Sequence, residues 1–312
     1  MGVLNHGYTL SEVRAMGIST DPVPLTVVLD HKFDSDGVLD RLKARICLRG
    51  TPRYMQKGVH FDETFASTPN ANTMRILMAL MCHENLHQLC YDIKMAYCWA
   101  ELEDGDRICV RYPKGFERYA ADGEELFMIL EKNLYGAPNA ARNWGICRDT
   151  FIQDHFNKNG WTCVKSKEDP CLFYITRKSQ GKTERAWLLI HTDDVDSVGD
   201  NPEILEDIYL AIHKKWKCKK VDSDFMLGIK RKVDLDAEDA EKGIRTVDSV
   251  TLTMEVFVRG MADTFREHLP LGGAHKNLPC PPGTLLTVSH DAPDEEVPVS
   301  YTHLTLPTIL LV

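Results

Sequence analysis

The 312-residue sequence lacks several patterns that would place it in a narrow class. It has ten cysteines but no Cys-x-x-Cys pair, which argues against a zinc-ribbon protein and against a small secreted protein with a disulfide framework. No apolar run is long enough to span a bilayer, and no charged-then-apolar leader or internal repeat is visible. We therefore expect an intracellular, folded protein with reduced thiols and no membrane partner.

Acidic residues outnumber basic residues, and the formal net charge is −9. This average argues weakly against a nucleic-acid partner, yet two basic patches stand out. Arg41 to Lys57 contains six basic residues and no acid, and Lys214 to Lys220 contains five lysines around Trp216. Phosphate backbones respond to local potential more than to net charge, so both patches fit a nucleic-acid groove. Each patch also fits an ordinary solvated surface, and the sequence leaves that choice open.

Hydrophobic periodicity predicts an α+β protein. Thr26–Lys32 and Arg41–Arg49 flank an Asp/Gly-rich turn, which is the pattern of a β-hairpin. Ala71–Asn85 has apolar residues on one helical face and is preceded by Pro69 and Asn70, which are helix start signals. Further helices are predicted at Ala141–Asn157 and Pro202–Lys214, further strands at Leu89–Ile93, Ile108–Tyr112, Leu126–Leu130, Ala186–Ile190, Val195–Val198 and Phe225–Val233, and an acidic loop at Asp234–Glu241.

Three carboxylates lie where predicted strands end or turn. Asp92 follows the alternating Leu89 and Tyr91 near a strand end, and Asp193 and Asp194 lie in a tight turn between two apolar arms. Paired aspartates in turns are commonly structural. A buried carboxylate pair is costly unless cations neutralise it, however, and carboxylates are ligands that Mg²⁺ prefers. The pattern therefore favours a site for two divalent ions, which can stabilise both the attacking and the leaving oxygen of a phosphoryl transfer.

Tyr97 is expected beside this site because it follows Asp92 closely in the chain. A flat ring there can support a sugar and exclude a 2′-hydroxyl group. A lone aromatic residue is more often part of the core, and that interpretation stays open.

The segment from His83 to His87 matches the H-E-x-x-H pattern of zinc proteases. That motif needs both histidines on one continuing helix and a third ligand downstream. Here the helical pattern ends near Asn85 and an alternating strand begins almost at once, so the two imidazoles should diverge. A zinc metalloprotease remains a remote alternative.

Ten landmarks in order resemble the reverse transcriptase of copia-type retrotransposon Pol polyproteins, and the similarity runs from about Thr26 to about Pro282. One such landmark means little, but ten in the family's order are specific. They are Lys43–Gly50, Phe61–Phe65, Thr73–Arg75, Gln88–Tyr97, Pro113–Phe116, Leu134–Gly136, Arg142–Trp144, Asp169–Phe173, Asp193–Asp194 and Phe225–Ile229.

The resemblance implies an RNA-directed DNA polymerase that adds deoxynucleoside triphosphates (dNTPs) to a primer 3′-hydroxyl group. It implies Asp92, Asp193 and Asp194 as catalytic residues and as ligands of two Mg²⁺ ions, with Mn²⁺ as a substitute. The remaining residues that it implies contact nucleotide or nucleic acid. They are Lys43, Arg45, Tyr97 and Asn139 for the nucleotide, and Arg75, Arg142, Leu227 and Gly228 for the primer and template.

Three positions depart from the family pattern. His191 stands where the family usually has tyrosine before the Asp-Asp pair, and Asn139 is one methylene shorter than the expected glutamine. Asp196 adds a carboxylate in what is usually an apolar arm. All three metal ligands are present, so these changes bear on rate and fidelity more than on reaction type. A catalytically inactive, nucleic-acid-binding remnant of the same fold is the principal alternative function.

The resemblance also predicts a domain organisation. We expect an N-terminal flank at 1–25, right-hand fingers and palm with an antiparallel palm sheet at 26–235, and a partial thumb or connection at 236–298. Residues 299–312 look like translated sequencing adapter and are not expected to be native. A fragment of a Pol polyprotein would have integrase and ribonuclease H segments, an RNA or DNA template-primer and dNTPs as partners. It would act in the cytoplasm, with virus-like particles and the nucleus as alternative locations.

Overall fold

A computed structural model describes residues 2–18, 20–33, 39–102, 107–222, 225–227, 229–241, 245–255 and 258–260. The architecture is mixed α+β, which confirms the predicted class. Among these residues no helix has the length and apolarity needed to cross a membrane. The predicted adapter segment at 299–312 and most of the predicted thumb or connection lie outside the described residues.

The helices and strands are numbered in chain order. They are β1 (Leu4–Tyr8), α1 (Leu10–Ala15), β2 (Val23–Phe33), β3 (Leu39–Leu48), α2 (Ala71–His83), β4 (His87–Ile93), a 3-10 turn (Ala96–Trp99), β5 (Ile108–Arg111), β6 (Phe127–Leu130), α3 (Ala140–Lys158), β7 (Thr162–Lys165), β8 (Leu172–Ser179), β9 (Lys182–His191), β10 (Asp194–Gly199), α4 (Pro202–Trp216), β11 (Cys218–Val221), β12 (Phe225–Met226), β13 (Ile229–Leu235), α5 (Ala237–Glu241) and β14 (Val247–Thr253).

A five-stranded sheet has the order β1-β6-β5-β2-β3. Its long hairpin pairs β2 with β3 in antiparallel register from Leu25 opposite Leu48 to Phe33 opposite Leu39, which confirms the predicted hairpin. The predicted turn residues 34–38 lie outside the described residues. β2 also pairs in parallel with β5 through Val23 and Pro24, so the hairpin is anchored at one end to the rest of the sheet.

A six-stranded antiparallel sheet has the order β11-β4-β10-β9-β8-β7. Strands β7 to β10 form a meander, and β4 is inserted between β10 and β11. Helices α3 and α4 contribute to the core cluster that includes Tyr91 and Ile190 of this sheet. Trp144 of α3 and Trp216 of α4 are each 1% exposed and meet edge-to-face. This packing supports the sheet beneath the predicted catalytic turn.

Helix α2 packs with β9, β10 and a small sheet of order β12-β13-β14. It begins after Asn70, whose side chain accepts a hydrogen bond from the Asn72 N–H group, as expected of an N-cap residue. Its buried face consists of Met74, Leu77, Met78 and Met81. The predicted amphipathic helix is therefore confirmed, with its last residue at His83.

The region after β11 differs from the prediction. Phe225–Val233 is not one strand but two antiparallel strands, β12 and β13, joined at Leu227, which has a φ of 53°. A left-handed residue cannot continue an extended strand, so the chain turns there. Asp234–Glu241 is not a loop either, because Asp234 continues β13 and α5 follows.

Two glycines explain why the segment after β6 fits against the end of β3. The Tyr135 carbonyl oxygen accepts a hydrogen bond of 2.7 Å from the Leu48 N–H group. A Cβ atom on Gly136 would lie 2.2 Å from the Leu48 carbonyl oxygen, and one on Gly50 would lie 2.0 Å from the Gly136 carbonyl oxygen. Only glycine allows this backbone approach, which fixes the hairpin against the Leu134–Pro138 segment.

Candidate active site

The three predicted catalytic carboxylates come together at one end of the six-stranded sheet. Asp92 of β4 and Asp194 of β10 are register partners on neighbouring strands. Asp193 lies in the two-residue turn between β9 and β10, and its carbonyl oxygen accepts a hydrogen bond of 2.8 Å from the Ile93 N–H group. The turn between β9 and β10 therefore lies next to the end of the strand that carries Asp92.

Burial and neighbouring carboxylates raise the pKa values of Asp193 and Asp194. Desolvation, followed by the charges of Asp193 and Asp92, raises the pKa of Asp194 to about 6. Desolvation also raises the pKa of Asp193, and the charge of Asp92 adds to the rise, while His191 and Lys43 lower it. Such mutual repulsion is the expected state of carboxylates that share a site without a compensating cation.

The donor set fits a divalent metal ion. Among the described side chains, none forms an ion pair with Asp92, Asp193 or Asp194. In the described part of the chain, no three or more His, Cys, Asp or Glu side chains, these carboxylates included, are grouped so that they could hold a metal ion without further ligands. Mg²⁺ is commonly held by one or two carboxylates together with substrate phosphates and water rather than by an all-protein cage. An open carboxylate set with raised pKa values suits that kind of binding.

The turn that carries Asp193 has a strained backbone. Thr192 has a φ of 55°, in the left-handed region, which costs a non-glycine residue roughly 1–2 kcal/mol. A two-residue hairpin turn with positive φ at its first position favours glycine there. The indole N–H of Trp144 donates a hydrogen bond of 2.7 Å to the Thr192 carbonyl oxygen. Sequence reasoning gave Trp144 no role beyond packing.

Tyr97 lies beside the site, in the 3-10 turn that follows β4. Its half-buried ring meets Tyr135 edge-to-face at a centroid distance of 5.4 Å. Tyr97 and Thr192 line a cleft of about 440 Å³, which Phe65 and Arg142 also line. The ring packs against core clusters and also faces an open cleft, so both interpretations of Tyr97 have structural support.

Lys43 and Arg45 lie on β3 of the long hairpin. Lys43 is exposed, and its charge lowers the pKa of Asp193. Arg45 lies 3.6 Å from the Asp30 carboxylate on β2. Arg45 and Asp193 act in opposite directions on the pKa of Tyr135, which desolvation raises to about 12. The charge of Lys43 therefore acts on Asp193, whereas Arg45 pairs with Asp30 and acts on Tyr135.

Asn139 and Arg142 lie at the start of α3. Asn139 is 2% exposed and precedes the first residue of the helix. Arg142 is half-buried and lines the same cleft as Tyr97. Arg142 is therefore accessible from the site, whereas Asn139 is covered in this structure.

The other residues predicted to contact primer and template are Arg75, Leu227 and Gly228. Arg75 is exposed on α2 and donates to the Asn72 side chain at 2.9 Å. Leu227 is half-buried against the core cluster beneath α2, and Gly228 lies outside the described residues. No contact between described residues joins Arg75 or Leu227 to the three carboxylates.

Part of the second basic patch has a structural role. Lys219 of β11 is the register partner of Asp92. Lys220 forms an ion pair of 2.5 Å with Glu206 and lies over the Tyr209 ring. In this patch Lys219 therefore lies on the strand next to that of Asp92, whereas Lys220 packs against α4.

Comparison with known proteins decides the family. Residues 8–241 match the family described as "Reverse transcriptase (RNA-dependent DNA polymerase)", which is most of the chain. The chain belongs to the reverse transcriptase family. The similarity to copia-type sequences that the landmarks predicted is thereby confirmed.

Relatives from plants agree with this assignment. The chain is 28% identical over 198 residues to the "Retrovirus-related Pol polyprotein from transposon TNT 1-94" of Nicotiana tabacum, covering 64% of this chain and 14% of the relative. It is 27% and 26% identical over 207 residues to the Pol polyproteins from transposons RE2 and RE1 of Arabidopsis thaliana, covering 66% of this chain and 13% of each relative. The chain thus spans about a seventh of the length of these relatives.

The remote protease alternative does not fit this reverse transcriptase fold. His83 is the last residue of α2 and His87 is the first residue of β4, so the two imidazoles do not share a helix. Burial lowers the pKa of His87, and its ring is only half-buried. The H-E-x-x-H match therefore reflects the junction between a helix and the catalytic strand.

A buried polar cluster behind the reverse transcriptase site was missed by sequence reasoning. Asp196 of β10 is 0% exposed and forms an ion pair with Arg231 of β13, which is 3% exposed. The Gln88 amide group donates to Asp196 at 2.7 Å, and the Cys90 thiol lies 3.3 Å from the same oxygen atom. The only sequence signal was the unexpected carboxylate in an apolar arm, because its partner lies 35 residues away.

Proposed function

We propose that this chain is the polymerase core of a copia-type reverse transcriptase and transfers nucleotides to a primer 3′-hydroxyl group. The observation that carries this proposal is the meeting of Asp92 with Asp193 and Asp194 on neighbouring strands, without an ion-paired cation from the described residues.

Both larger sheets would contribute to a right hand. The β2–β3 hairpin and its flank, from about Thr26 to Arg53, would be the fingers. The segment from about His60 to Ile229, which contains the six-stranded sheet, its helices and strands β5 and β6, would be the palm. The segment beyond 235 would begin the thumb or connection.

The carboxylates would hold divalent ions, with Mg²⁺ as the natural choice and Mn²⁺ as a substitute. Such ions supply charge stabilisation for the attacking and leaving oxygens of a phosphoryl transfer. Asp193 and Asp194 would place negative charge at the tip of the hairpin, and Asp92 would supply it from the neighbouring strand. The protein would contribute chiefly orientation, because phosphoryl transfer depends on positioning and electrostatic stabilisation.

Residues around the carboxylates would orient the nucleotide. Lys43 and Arg45 would meet its triphosphate, since both cations lie on the hairpin that approaches Asp193. The Tyr97 ring would lie under the sugar and disfavour a 2′-hydroxyl group. Asn139 would act near the nucleotide only through a local rearrangement, because it is covered here.

The template-primer would lie across the same face. Arg142 in the cleft beside Tyr97 and Arg75 on α2 would contact template or primer phosphates, and Leu227 with Gly228 would lie near the primer end. Other segments of a Pol polyprotein would be the protein partners, since the relatives carry that name. By the family resemblance these segments would be integrase and ribonuclease H.

The test is Mg²⁺-dependent primer extension on an RNA template by the full chain. We expect Asp193→Asn to reduce extension by about a thousandfold or more, because one of few metal-binding carboxylates is lost. Asp248→Asn, on the exposed surface of β14, is the matched control and should extend at the wild-type rate. Extension that survives Asp193→Asn unchanged would contradict the proposal.

The inactive-remnant alternative makes a different prediction for the same assay. A remnant would bind template-primer with equal affinity in Mg²⁺ and in a chelator, and would give no extension with Mg²⁺ or Mn²⁺. Circular dichroism of the wild-type chain would show that the absence of extension does not come from unfolding.

A further inference from the structure

The catalytic turn needs an external restraint. Thr192, its first residue, has a φ of 55°, a conformation that glycine adopts without penalty and threonine does not. Left to its own preference, the turn would relax toward negative φ at Thr192. The carboxylate of Asp193, the next residue, would then leave its place beside the Asp92 strand.

Trp144 supplies a restraint from α3. Its indole N–H donates to the Thr192 carbonyl oxygen at 2.7 Å, and the side chain is 1% exposed. The ring has little freedom to move, because it meets Trp216 edge-to-face at 4.9 Å and Trp216 meets Phe151 at 4.7 Å. A donor fixed by packing can hold a carbonyl group more firmly than a mobile side chain can.

The other side of the turn is held by β4. The Ile93 N–H group donates to the Asp193 carbonyl oxygen at 2.8 Å. The two carbonyl groups of the turn therefore accept hydrogen bonds from different elements. One bond ties the turn to the strand of Asp92, and the other sets the peptide orientation at Thr192.

We propose that Trp144 is a positioning residue whose indole N–H holds Thr192 in the left-handed conformation and so keeps Asp193 opposite the Asp92 strand. Its consequence for catalysis rests on the proposed polymerase function. The restraint itself is a property of the folded chain and can be measured without activity.

The first experiment uses Trp144→Phe, which keeps an aromatic ring and removes the N–H donor. Hydrogen exchange of the Ile93 amide reports opening of the turn, because that amide bonds to the Asp193 carbonyl. We expect its protection to fall about tenfold. The Ile190 amide, which bonds to the Cys171 carbonyl on the same sheet, should keep its protection relative to global stability.

Trp161→Phe is the matched control. Trp161 packs on Phe156 and under Arg177, and its indole makes no hydrogen bond among the described residues. The same substitution there removes an indole N–H without touching the turn, so Ile93 protection should be unchanged. Equal loss of Ile93 protection in both variants would overturn the proposal.

Rescue by Thr192→Gly separates positioning from packing. Glycine accepts the left-handed conformation without help, so the turn no longer needs the indole donor. In primer extension we expect Trp144→Phe to lower kcat about tenfold in the wild-type background and less than threefold in the Thr192→Gly background, with the dNTP KM within twofold. Equal losses in both backgrounds would show that Trp144 acts by packing alone and would overturn the proposal.

The experiments also distinguish the positioning role of Trp144 from the proposed polymerase function. If the wild-type chain gives no extension, the polymerase proposal fails, while the exchange of Ile93 in the four variants still decides the role of Trp144. Faster exchange in Trp144→Phe that is reversed by Thr192→Gly would support the restraint. Wild-type exchange in Trp144→Phe would overturn it whatever the activity.

Discussion

Two carboxylates of β10 lie two residues apart and have opposite environments. Asp194 begins the strand, is exposed, and has its pKa raised to about 6 by desolvation and by two neighbouring aspartates. Asp196 is 0% exposed and faces Arg231, with Gln88 as a second donor. Residues two apart on a strand share a face, so the contrast comes from what covers that face.

This contrast distinguishes a carboxylate that stabilises the fold, Asp196, from one that is available to bind a ligand, Asp194. The chain supplies Asp196 with a cation from β13, and the pair joins the third sheet to the catalytic sheet. It supplies no ion-paired cation to Asp194 among the described residues. A carboxylate that the fold leaves without a partner beside two others is available for a cation from solution.

The largest effect is expected at Asp196, the carboxylate of this pair that stabilises the fold. Asp196→Ala should lower the free energy of unfolding by about 3 kcal/mol, because it removes the carboxylate that faces a buried guanidinium group. Asp194→Ala should cause no comparable loss. Urea denaturation measures both changes.

An apolar replacement provides the control for this prediction. Combining Asp196→Val with Arg231→Met should recover most of the loss, because buried ion pairs can be exchanged for apolar pairs at little cost. A wild-type stability for Asp196→Ala would remove the structural role assigned to this carboxylate.

Stabilisation by a bound metal ion should depend on Asp194 and its neighbour Asp193, and not on Asp196. At ten times its dissociation constant, Mn²⁺ should raise the free energy of unfolding by about 1.4 kcal/mol at pH 7.5. The double variant Asp193→Asn with Asp194→Asn should lose this gain, whereas Asp248→Asn should keep it. Thermal unfolding with and without a chelator makes the comparison, and an equal gain in all three proteins would mean that Mn²⁺ binds elsewhere.

A smaller effect is expected from pH. Because the pKa of Asp194 is about 6 when folded and ordinary when unfolded, the folded state binds more protons between pH 4 and pH 6. The contribution of Asp194 to stability therefore falls as pH rises through this window and stays low above it. Asp194→Asn should remove the decline and raise the free energy of unfolding at pH 7.5 by about 1 kcal/mol, since solvent exposure screens the repulsion. A steeper decline in the variant, measured by urea denaturation across the window, would contradict this assignment.

Local signals explain which elements could be predicted. The hairpin of β2 and β3, helices α2, α3 and α4, and the Asp193–Asp194 turn were all predicted, because apolar periodicity and start signals such as Asn70 are encoded by neighbouring residues. The turn at Leu227 was missed because leucine gives no signal for a positive φ. Helix α5 was missed because its acidic sequence has no apolar face.

The site could be predicted in part for the same reason. Asp92, Asp193 and Asp194 were found because each follows a recognisable strand. Trp144 was identified only as part of the Arg142–Trp144 landmark in a predicted helix, since its bond to Thr192 joins positions 48 residues apart. The Asp196–Arg231 pair likewise depends on how β13 docks on the sheet, which no local pattern reports.

The insertion of β4 between β10 and β11 also sets the order in which the chain can assemble. Gln88 and its partner Asp196 are separated by 108 residues, whereas β8, β9 and β10 follow one another as a meander. During synthesis, β4 leaves the ribosome long before either neighbouring strand exists. Both edges of β4 stay unpaired until those strands have been synthesised. Such long-range pairing is slow and prone to misassembly. Asp92 therefore meets Asp193 and Asp194 only after β10, which ends at Gly199, has been synthesised about a hundred residues later.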